Sequence, residues 1–419
     1  MSTDALVLDV ERLTYGPDAL ARCGGQVVFL PYAAPGDRVV AEVVARRRGH
    51  LRARVAAVLA PSPARVAPAC PVFGVCGGCQ WQHLALEAQR EAKRAVVIEQ
   101  LRRVAGLRDP AVPPVRPASA PLAYRSRITL AAEGRRLGYH RLRSHALVEI
   151  DACPIAEPVL AAHLGAARAF AAALRAPLAR VTIAAAPGGV ALVARTTARP
   201  GPADRAATER LLVAEPSVRG AVVTDGAVRL VVGDPTVRAP LEPGLEIEVP
   251  ADVFTQVNPA ANQLLVATVV GLVGAAPRVL DLYCGAGNFA LPLARRGARV
   301  HGVERAAAAV AAARANAARL GLAGATFVAA NVTTALAAAP AGSADVVVLD
   351  PPRAGAAPAL GALAALRAPR LVYVSCDPAT LARDIRTLAA HGYRLGRLEL
   401  LDLFPQTYHV ETVAELQLT

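Results

Sequence analysis

Three short stretches near the C-terminal end place reactive side chains just beyond apolar runs. They are Val348-Leu349-Asp350-Pro351-Pro352-Arg353, Val372-Tyr373-Val374-Ser375-Cys376-Asp377-Pro378, and Asp402-Leu403-Phe404-Pro405-Gln406-Thr407-Tyr408-His409-Val410-Glu411-Thr412. Apolar runs of this length are expected to be buried strands of an open parallel sheet, and ligands bind in the crevice beyond the carboxyl ends of such strands. Asp350, Cys376 and Glu411 are therefore expected to converge on one cleft. A lone cysteine is more often a small buried hydrophobe than a nucleophile. The position of Cys376 at a strand end, between Ser375 and Asp377, favours chemistry.

Upstream, Arg278-Val279-Leu280-Asp281-Leu282-Tyr283-Cys284-Gly285-Ala286-Gly287-Asn288-Phe289 is an apolar strand running into a glycine turn and then a helix. Arg299-Val300-His301-Gly302-Val303 is the next strand, with Glu304 at its end. Glycine lets a backbone approach a ligand closely, and an acid at the next strand end hydrogen-bonds ribose hydroxyls. The order strand, glycine turn, helix, strand, acid points to a nucleoside-bearing cofactor. Gly285-x-Gly287 lacks the third glycine of a dinucleotide fingerprint, which favours S-adenosylmethionine over NAD.

Cys70-x5-Cys76-Gly77-Gly78-Cys79, with Cys153 much later, supplies four thiolates, enough for tetrahedral zinc or an iron-sulfur cluster. The paired glycines permit a tight backbone turn around a metal centre, and spacing leaves the two metals open. The chain has seven cysteines, an odd number that argues against a disulfide framework. Cys23 and Cys284 are expected to be structural.

With 419 residues the chain is expected to hold about three domains. Its net charge of +13 favours a polyanionic partner such as nucleic acid, although Lys93 is its only lysine and part of the arginine reflects composition. Between Arg90 and Ile150 there are thirteen basic residues against five acidic, too dense for helix solubility alone. Tyr124-Arg125-Ser126-Arg127 and Gly138-Tyr139-His140-Arg141 interleave aromatics with arginines, as expected where bases stack and phosphates are neutralised. No run approaches the roughly 20 uncharged residues of a bilayer span. Met1 to Leu6 has no basic segment leading into an apolar one, so a cytoplasmic protein without a secretory signal is expected.

Four alternating segments, near Ala5–Leu13, Gln26–Tyr32, Arg38–Ala45 and Leu51–Leu59, predict a small antiparallel β-barrel over residues 1–60. Arg46, Arg47, Arg48, Arg52 and Arg54 give it a basic edge that either tracks a nucleic-acid backbone or is only a solvated face. Pro61-Ser62-Pro63 reads as a linker. A central α+β domain is expected over 61–250, with a helix from His83 to Gly106. A Rossmann-like α/β domain follows over 251–419.

With these residues assembled, the chain resembles the RNA 5-methyluridine methyltransferases over nearly its whole length, most closely those that modify 23S ribosomal RNA and carry an iron-sulfur cluster. The resemblance implies a multidomain α/β protein: an N-terminal OB-like TRAM barrel that binds RNA, a central α+β domain and a class I methyltransferase domain. It implies that Cys70, Cys76, Cys79 and Cys153 ligate a [4Fe-4S] cluster. Gln256, in Phe254-Thr255-Gln256-Val257-Asn258, would contact S-adenosylmethionine, and Tyr283, Asn288, Glu304, Asn331 and Asp350 would line the same site. Cys376 matches the nucleophile and Glu411 the base. Thr255 stands where an aromatic often precedes the glutamine, and Asn331 where some members have aspartate. The helix from His83 would pack on the catalytic domain.

The implied chemistry is methyl transfer to C5 of a uridine in RNA. C5 of uracil is a poor nucleophile, so the Cys376 thiolate would add at C6, Asp350 would accept from uracil N3–H, and Glu411 would remove the C5 proton. Ribosomal RNA is the expected partner, with transfer RNA the alternative, and no obligate protein partner is inferred. A non-catalytic RNA-binding or folding factor on the same scaffold is the competing class, disfavoured by the intact Cys376 and Glu411. A radical enzyme would use Cys-x3-Cys-x2-Cys, which this spacing does not match.

Overall fold

The structure, a computed structural model, describes residues 5–419; the first four residues of the expected barrel segment lie outside the described residues. Strands β1 (Ala5–Leu13), β2 (Asp18–Cys23), β3 (Gln26–Pro31), β4 (Arg38–Arg47) and β5 (His50–Ala60) close into a barrel in the order β1-β2-β3-β5-β4. Alternation predicted four strands and missed β2. Its sequence Asp-Ala-Leu-Ala-Arg-Cys has no β-branched residue, and its first four residues are all buried, so no period of two is visible. Val10, Val28, Leu30, Val39 and Leu51 fill the barrel. The expected linker is pinned: Ser62 is buried and its N–H donates to Asp37 Oδ1 at 2.9 Å, while Arg65 bonds the same carboxylate.

Helix α1 spans Leu86–Arg103, three residues inside the expected start, and Gly106 beyond it takes a positive φ of 77°. After it, β6 (Val115–Pro117) leaves the central region to pair with the far edge of the catalytic sheet. The central sheet contains β7 (Arg127–Glu133), β8 (Arg136–His140), β9 (Leu147–Glu149), β10 (Leu178–Ala186), β11 (Gly189–Thr196), β12 (Val218–Thr224) and β13 (Arg229–Gly233). Their order is β13-β12-β11-β10-β7-β8-β9. Leu192 and Val223 of this sheet pack on Leu160 of α2 (Pro158–Ala162), Phe170 of α3 (Leu164–Ala173) and Leu211 of α4 (Pro202–Ala214).

The hairpin of β14 (Thr236–Glu242) and β15 (Leu245–Pro250) buries Leu241, Ile247 and Val249 in one core with Leu265 and Val269 of α5 (Pro259–Val273). A buried core therefore runs across position 250, where sequence reading divides the domains.

The catalytic sheet runs from β16 (Arg278–Leu282) through β17 (Arg299–Glu304), β18 (Ala325–Ala329), β19 (Val346–Leu349), β20 (Arg370–Ser375), β21 (Tyr393–Asp402) and β22 (Glu411–Leu418). Its order is β18-β17-β16-β19-β20-β22-β21-β6, with β16 to β20 parallel and β22 inserted antiparallel between β20 and β21. That reversal brings the start of β22 to the carboxyl ends of β19 and β20. The crossover helices are α6 (Ala290–Arg295), α7 (Ala307–Arg319), α8 (Val332–Ala338), α9 (Leu360–Ala365) and α10 (Pro378–Ala389). Strand β19 is Val-Val-Val-Leu with every residue buried, as a central parallel strand requires. In α10, Leu381, Ile385 and Leu388 share a core with Val97 and Leu101 of α1. No helix among the described residues is long and apolar enough to cross a membrane.

Candidate active site and cysteine centre

Cys376 follows the last residue of β20, and Glu411 opens β22. Ser375 pairs with Thr412 across these antiparallel strands, so Cys376 and Glu411, each one residue further out, face one another at the sheet mouth. Asp350 follows β19, and its N–H donates to Leu282 O at 3.3 Å, which places it between the glycine turn and Cys376. The three groups lie close together at the sheet mouth, where each carboxyl acts on the thiol.

Their electrostatics are strongly coupled. Burial, then the Glu411 and Asp350 charges, pushes the Cys376 thiol up to about 12, against the pull of Arg353. Burial raises Asp350 to about 7. Glu411 is only 3% exposed, and burial followed by the Asp350 charge lifts its carboxyl well above the usual range. Two close carboxyls and a thiol cannot all ionise in a site this buried, so the group shares protons at neutral pH.

The cofactor side is built around Gly285 and Gly287, with φ of 54° and 94°. A Cβ at Gly287 would lie 2.8 Å from Leu291 Cγ, so both backbone angle and space require glycine. Tyr283, half-buried, is itself at φ 61°. Glu304 Oε2 accepts from Gly285 N–H at 3.4 Å and Oε1 from Ala306 N–H at 2.7 Å, holding the acid beside the turn. Asp281 is fully buried beside the turn, and burial followed by the Asp350 charge lifts its carboxyl well above the usual range, against the pull of the Ala290 N–H. Asn288 exchanges amide hydrogen bonds with Asn262 at 2.9 and 3.0 Å. Asn331 caps α8 through Thr333 N–H at 2.8 Å. Gln256 is half-buried on the segment leading into α5, whose cap Asn258 donates to Leu403 O at 2.8 Å.

Several residues at the site had no role in the sequence reading. Arg353 donates to His409 Nε2 at 3.1 Å. Burial and the Arg353, Lys93 and Arg125 charges hold His409 down to about 3, so the ring is neutral and Nδ1 carries its proton. Asp377 caps α10 through Ala379 and Thr380 N–H and accepts from Tyr15 OH of the barrel at 2.6 Å. Tyr15 and Asp377 are 362 positions apart, and no local signal joins them.

Cys70, Cys76, Cys79 and Cys153 line one cavity of about 110 Å³, together with Tyr139, Gln82 and Arg125. All four are free thiols. No group of three or more His, Cys, Asp or Glu among the described residues is drawn together as a metal site. A Cβ at Gly77 would lie 2.9 Å from Leu142 N, and Gly78 N–H donates to Cys76 Sγ at 3.4 Å, so the paired glycines fit a close turn. Burial drives the thiol of Cys79 up to about 12 and raises that of Cys76, with neighbouring thiols adding to both, and burial raises Cys153 against the pull of the Ile155 and Ala156 N–H groups, Tyr139 and Arg125. Cys284 is buried against Gly302, and Cys23 packs against the barrel core.

The arginine-rich stretch is less open than its composition suggests. Lys93 is fully buried and its ammonium meets Asp402 Oδ1 at 2.6 Å. Arg127 donates to Val253 O and Ala251 O at 3.0 and 2.7 Å. Tyr124 is 5% exposed and its hydroxyl donates to Pro405 O at 3.0 Å, while Tyr139 lines the cysteine cavity. These two aromatics serve the interior, because periodicity does not reveal which side chains a later loop will cover.

Comparison with known proteins agrees with this architecture. Residues 6–56 match the TRAM domain and residues 275–393 the family described as Methyltransferase domain. A 23S rRNA (uracil(1939)-C(5))-methyltransferase RlmD of Alkalilimnicola ehrlichii is 40% identical over 97% of this chain and 95% of its own. The protein of that name from Pectobacterium atrosepticum is 37% identical over 98% of this chain and 93% of its own. The crystal structure of Pyrococcus abyssi tRNA (uracil-54, C5)-methyltransferase with S-adenosyl-L-homocysteine superposes with a TM-score of 0.74 at 26% identity, covering 98% of this chain and 99% of that one. With a glycine-turn nucleoside site, a cysteine facing a carboxylate and these full-length matches, the chain belongs to the family of S-adenosylmethionine-dependent RNA uracil-C5 methyltransferases.

Proposed function

We propose that this protein methylates C5 of a uridine in 23S ribosomal RNA, with Cys376 as nucleophile and Glu411 as base. The observation that carries this reading is the strand pairing of Ser375 with Thr412, which sets thiol and carboxylate face to face beside the cofactor turn. S-adenosylmethionine supplies an electrophilic methyl group, held by Gln256, Tyr283, Asn288, Glu304 and Asn331, with Asp350 reaching from the cofactor side to uracil N3–H. As the uracil enters, the Cys376 and Glu411 protons are released to solvent, and the thiolate sulfur forms a bond to C6. The C5–C6 π pair moves to C5 and O4, so C5 becomes the nucleophile that takes the methyl as the sulfonium S–CH3 bond breaks and S-adenosyl-L-homocysteine leaves. Glu411 then removes the proton from C5, the C5–C6 double bond re-forms, and the C6–S bond breaks to return the thiolate. A carboxyl kept out of water and lifted in pKa is a stronger base than a solvated one, and general-base help of this kind is typically worth about 10² to 10⁴ in rate.

Cys70, Cys76, Cys79 and Cys153 fit a [4Fe-4S] cluster better than one zinc ion. Their shared cavity of about 110 Å³ exceeds what a single ion fills, and four thiols are a complete ligand set for such a cluster. Bound there, the cluster would offset the charge of the four thiolates and cross-link Cys153 to the Cys70–Cys79 turn. Full thiolate ligation leaves no iron free for substrate, which assigns the cluster to structure and RNA binding. A cytoplasmic enzyme acting on ribosomal RNA accords with these assignments.

The decisive test uses S-adenosylmethionine labelled in its methyl group with unmodified 23S rRNA and with transfer RNA as separate acceptors. Label at a 23S uridine C5 is expected. Label on transfer RNA alone would move the substrate to the class of the Pyrococcus neighbour, and no label on either would leave an RNA-binding scaffold.

A further inference from the structure

The loop Leu403–Val410 carries Glu411 into β22, yet much of what fixes it lies on α1, a helix before the catalytic fold. Gln89 and Lys93 sit one helical turn apart on the buried face of α1, both fully buried. Gln89 Oε1 accepts from Gln406 N–H at 2.8 Å, and its Nε2 donates to Gln406 Oε1 at 3.0 Å. Lys93 Nζ donates to Asp402 Oδ1 at 2.6 Å and to Phe404 O at 3.1 Å. Gln80 and Trp81, directly after Cys79, donate their N–H groups to Gln406 O at 3.1 and 3.0 Å. Gln406 is held at φ 72°, a left-handed conformation that a non-glycine residue keeps only when its surroundings over-determine it.

The single lysine of an arginine-rich chain stands at this point. A compact ammonium on a thin stem meets a carboxylate and a carbonyl at once in space that a planar guanidinium would overfill. Cys376 is fixed differently: Asp377, next to it, caps α10 and accepts from Tyr15 of the barrel. Nucleophile and base therefore have different hydrogen-bonded anchors, and the two meet only where the Tyr15 ring packs edge-on against Tyr408, centroids 5.9 Å apart.

We propose that Gln89 and Lys93 are positioning residues for the second half of the reaction, setting the Glu411 carboxylate against the C5 proton through residues 402–406. The proposal rests on the reading of Glu411 as the base. Loosening this latch slows proton removal and leaves addition of Cys376 and methyl transfer at their normal rates.

The test compares two variants of the full-length, metal-replete enzyme. Gln89→Met keeps volume and loses both bonds to Gln406. Lys93→Met combined with Asp402→Asn removes both charges together, so that no buried carboxylate is stranded. A displacement of about 1 Å at a catalytic group costs on the order of 100-fold, so kcat is expected to fall about 10- to 100-fold in each variant. The KM for S-adenosylmethionine and the single-turnover rate of methyl transfer should stay within about threefold, while a denaturation-resistant protein–RNA adduct carrying the new methyl builds up. A general structural role would lower methyl transfer and turnover together with no adduct, and that result, or unchanged kcat, would overturn the proposal. If the double variant does not fold, Gln89→Met decides alone, and failure of both to fold would make the contacts structural and overturn it equally. Glu411→Gln run beside them separates the two readings: adduct in Glu411→Gln without adduct in the α1 variants sinks only this inference, whereas normal turnover in Glu411→Gln sinks the assignment of the base.

Discussion

Replacing Asp350 by Asn is expected to make the enzyme more stable at alkaline pH while impairing catalysis. The Asp350 carboxyl moves from about 3.8 in the unfolded chain to about 7 in the folded protein, because burial disfavours its charge. A carboxyl raised on folding binds protons in the native state that the unfolded state has released, so stability falls as pH rises from the unfolded value towards the folded one. Single-site linkage gives a penalty of about 2 kcal/mol at pH 5 and about 4 kcal/mol at pH 8, an upper bound because Asp350 shares its protons with Glu411. Asn carries no such penalty at either pH. The stability gap between Asp350→Asn and the parent should therefore widen by about 2 kcal/mol between these pH values, or roughly 4–8 °C in the midpoint of a domain of this size. Scanning calorimetry of both proteins without ligand, at matched ionic strength, measures it through the transition of the catalytic domain. A gap that does not change with pH, or an Asn variant less stable than the parent at pH 8, would refute the reasoning about the buried carboxyl.

Cys376→Ala should give neither adduct nor product, while Glu411→Gln, which keeps shape but not basicity, should trap methylated RNA on the protein; gel mobility after denaturation reads both. Methylation by Cys376→Ala would remove the thiol from the mechanism. Protein purified without oxygen should be brown with about four irons per chain, and stoichiometric zinc without iron would reject the cluster. Replacing Arg46, Arg47 and Arg48 together should flatten the salt dependence of RNA binding, since each phosphate contact on a single strand contributes a log-log slope of about −0.7. An unchanged slope would assign these residues to a solvated face. Gly287→Ala should weaken cofactor binding measured by titration calorimetry, because its Cβ would lie 2.8 Å from Leu291 at φ 94°, and wild-type affinity would mean that the turn can shift freely.

The amino-acid sequence by itself determined the chemistry-bearing groups and the type of element that carries each one. Continuous Val and Leu runs ending in Asp350 and Cys376 announce buried parallel strands because both faces must be apolar. Gly285 and Gly287 announce a turn that no other residue makes readily, and Cys76-Gly77-Gly78-Cys79 announces a close backbone turn. These are local constraints, written within about a dozen residues. Strand β2 escaped because a strand buried on both faces but built from alanine has neither alternation nor β-branching to mark it.

Only the tertiary structure decided which charges face solvent and which anchor the site. Lys93 counted as one more cation in a basic stretch until the chain brought Asp402 to it across 309 positions. Tyr124, read as a stacking surface, is covered by Pro405, 281 positions away. The hairpin β14–β15 joins the core of α5, and β6 joins the far edge of the catalytic sheet. A side chain is buried or exposed according to which distant segment arrives beside it, and periodicity records only the near neighbours of each residue. The helix that sequence marks as basic therefore turns its glutamine and lysine inward, onto the loop that carries Glu411.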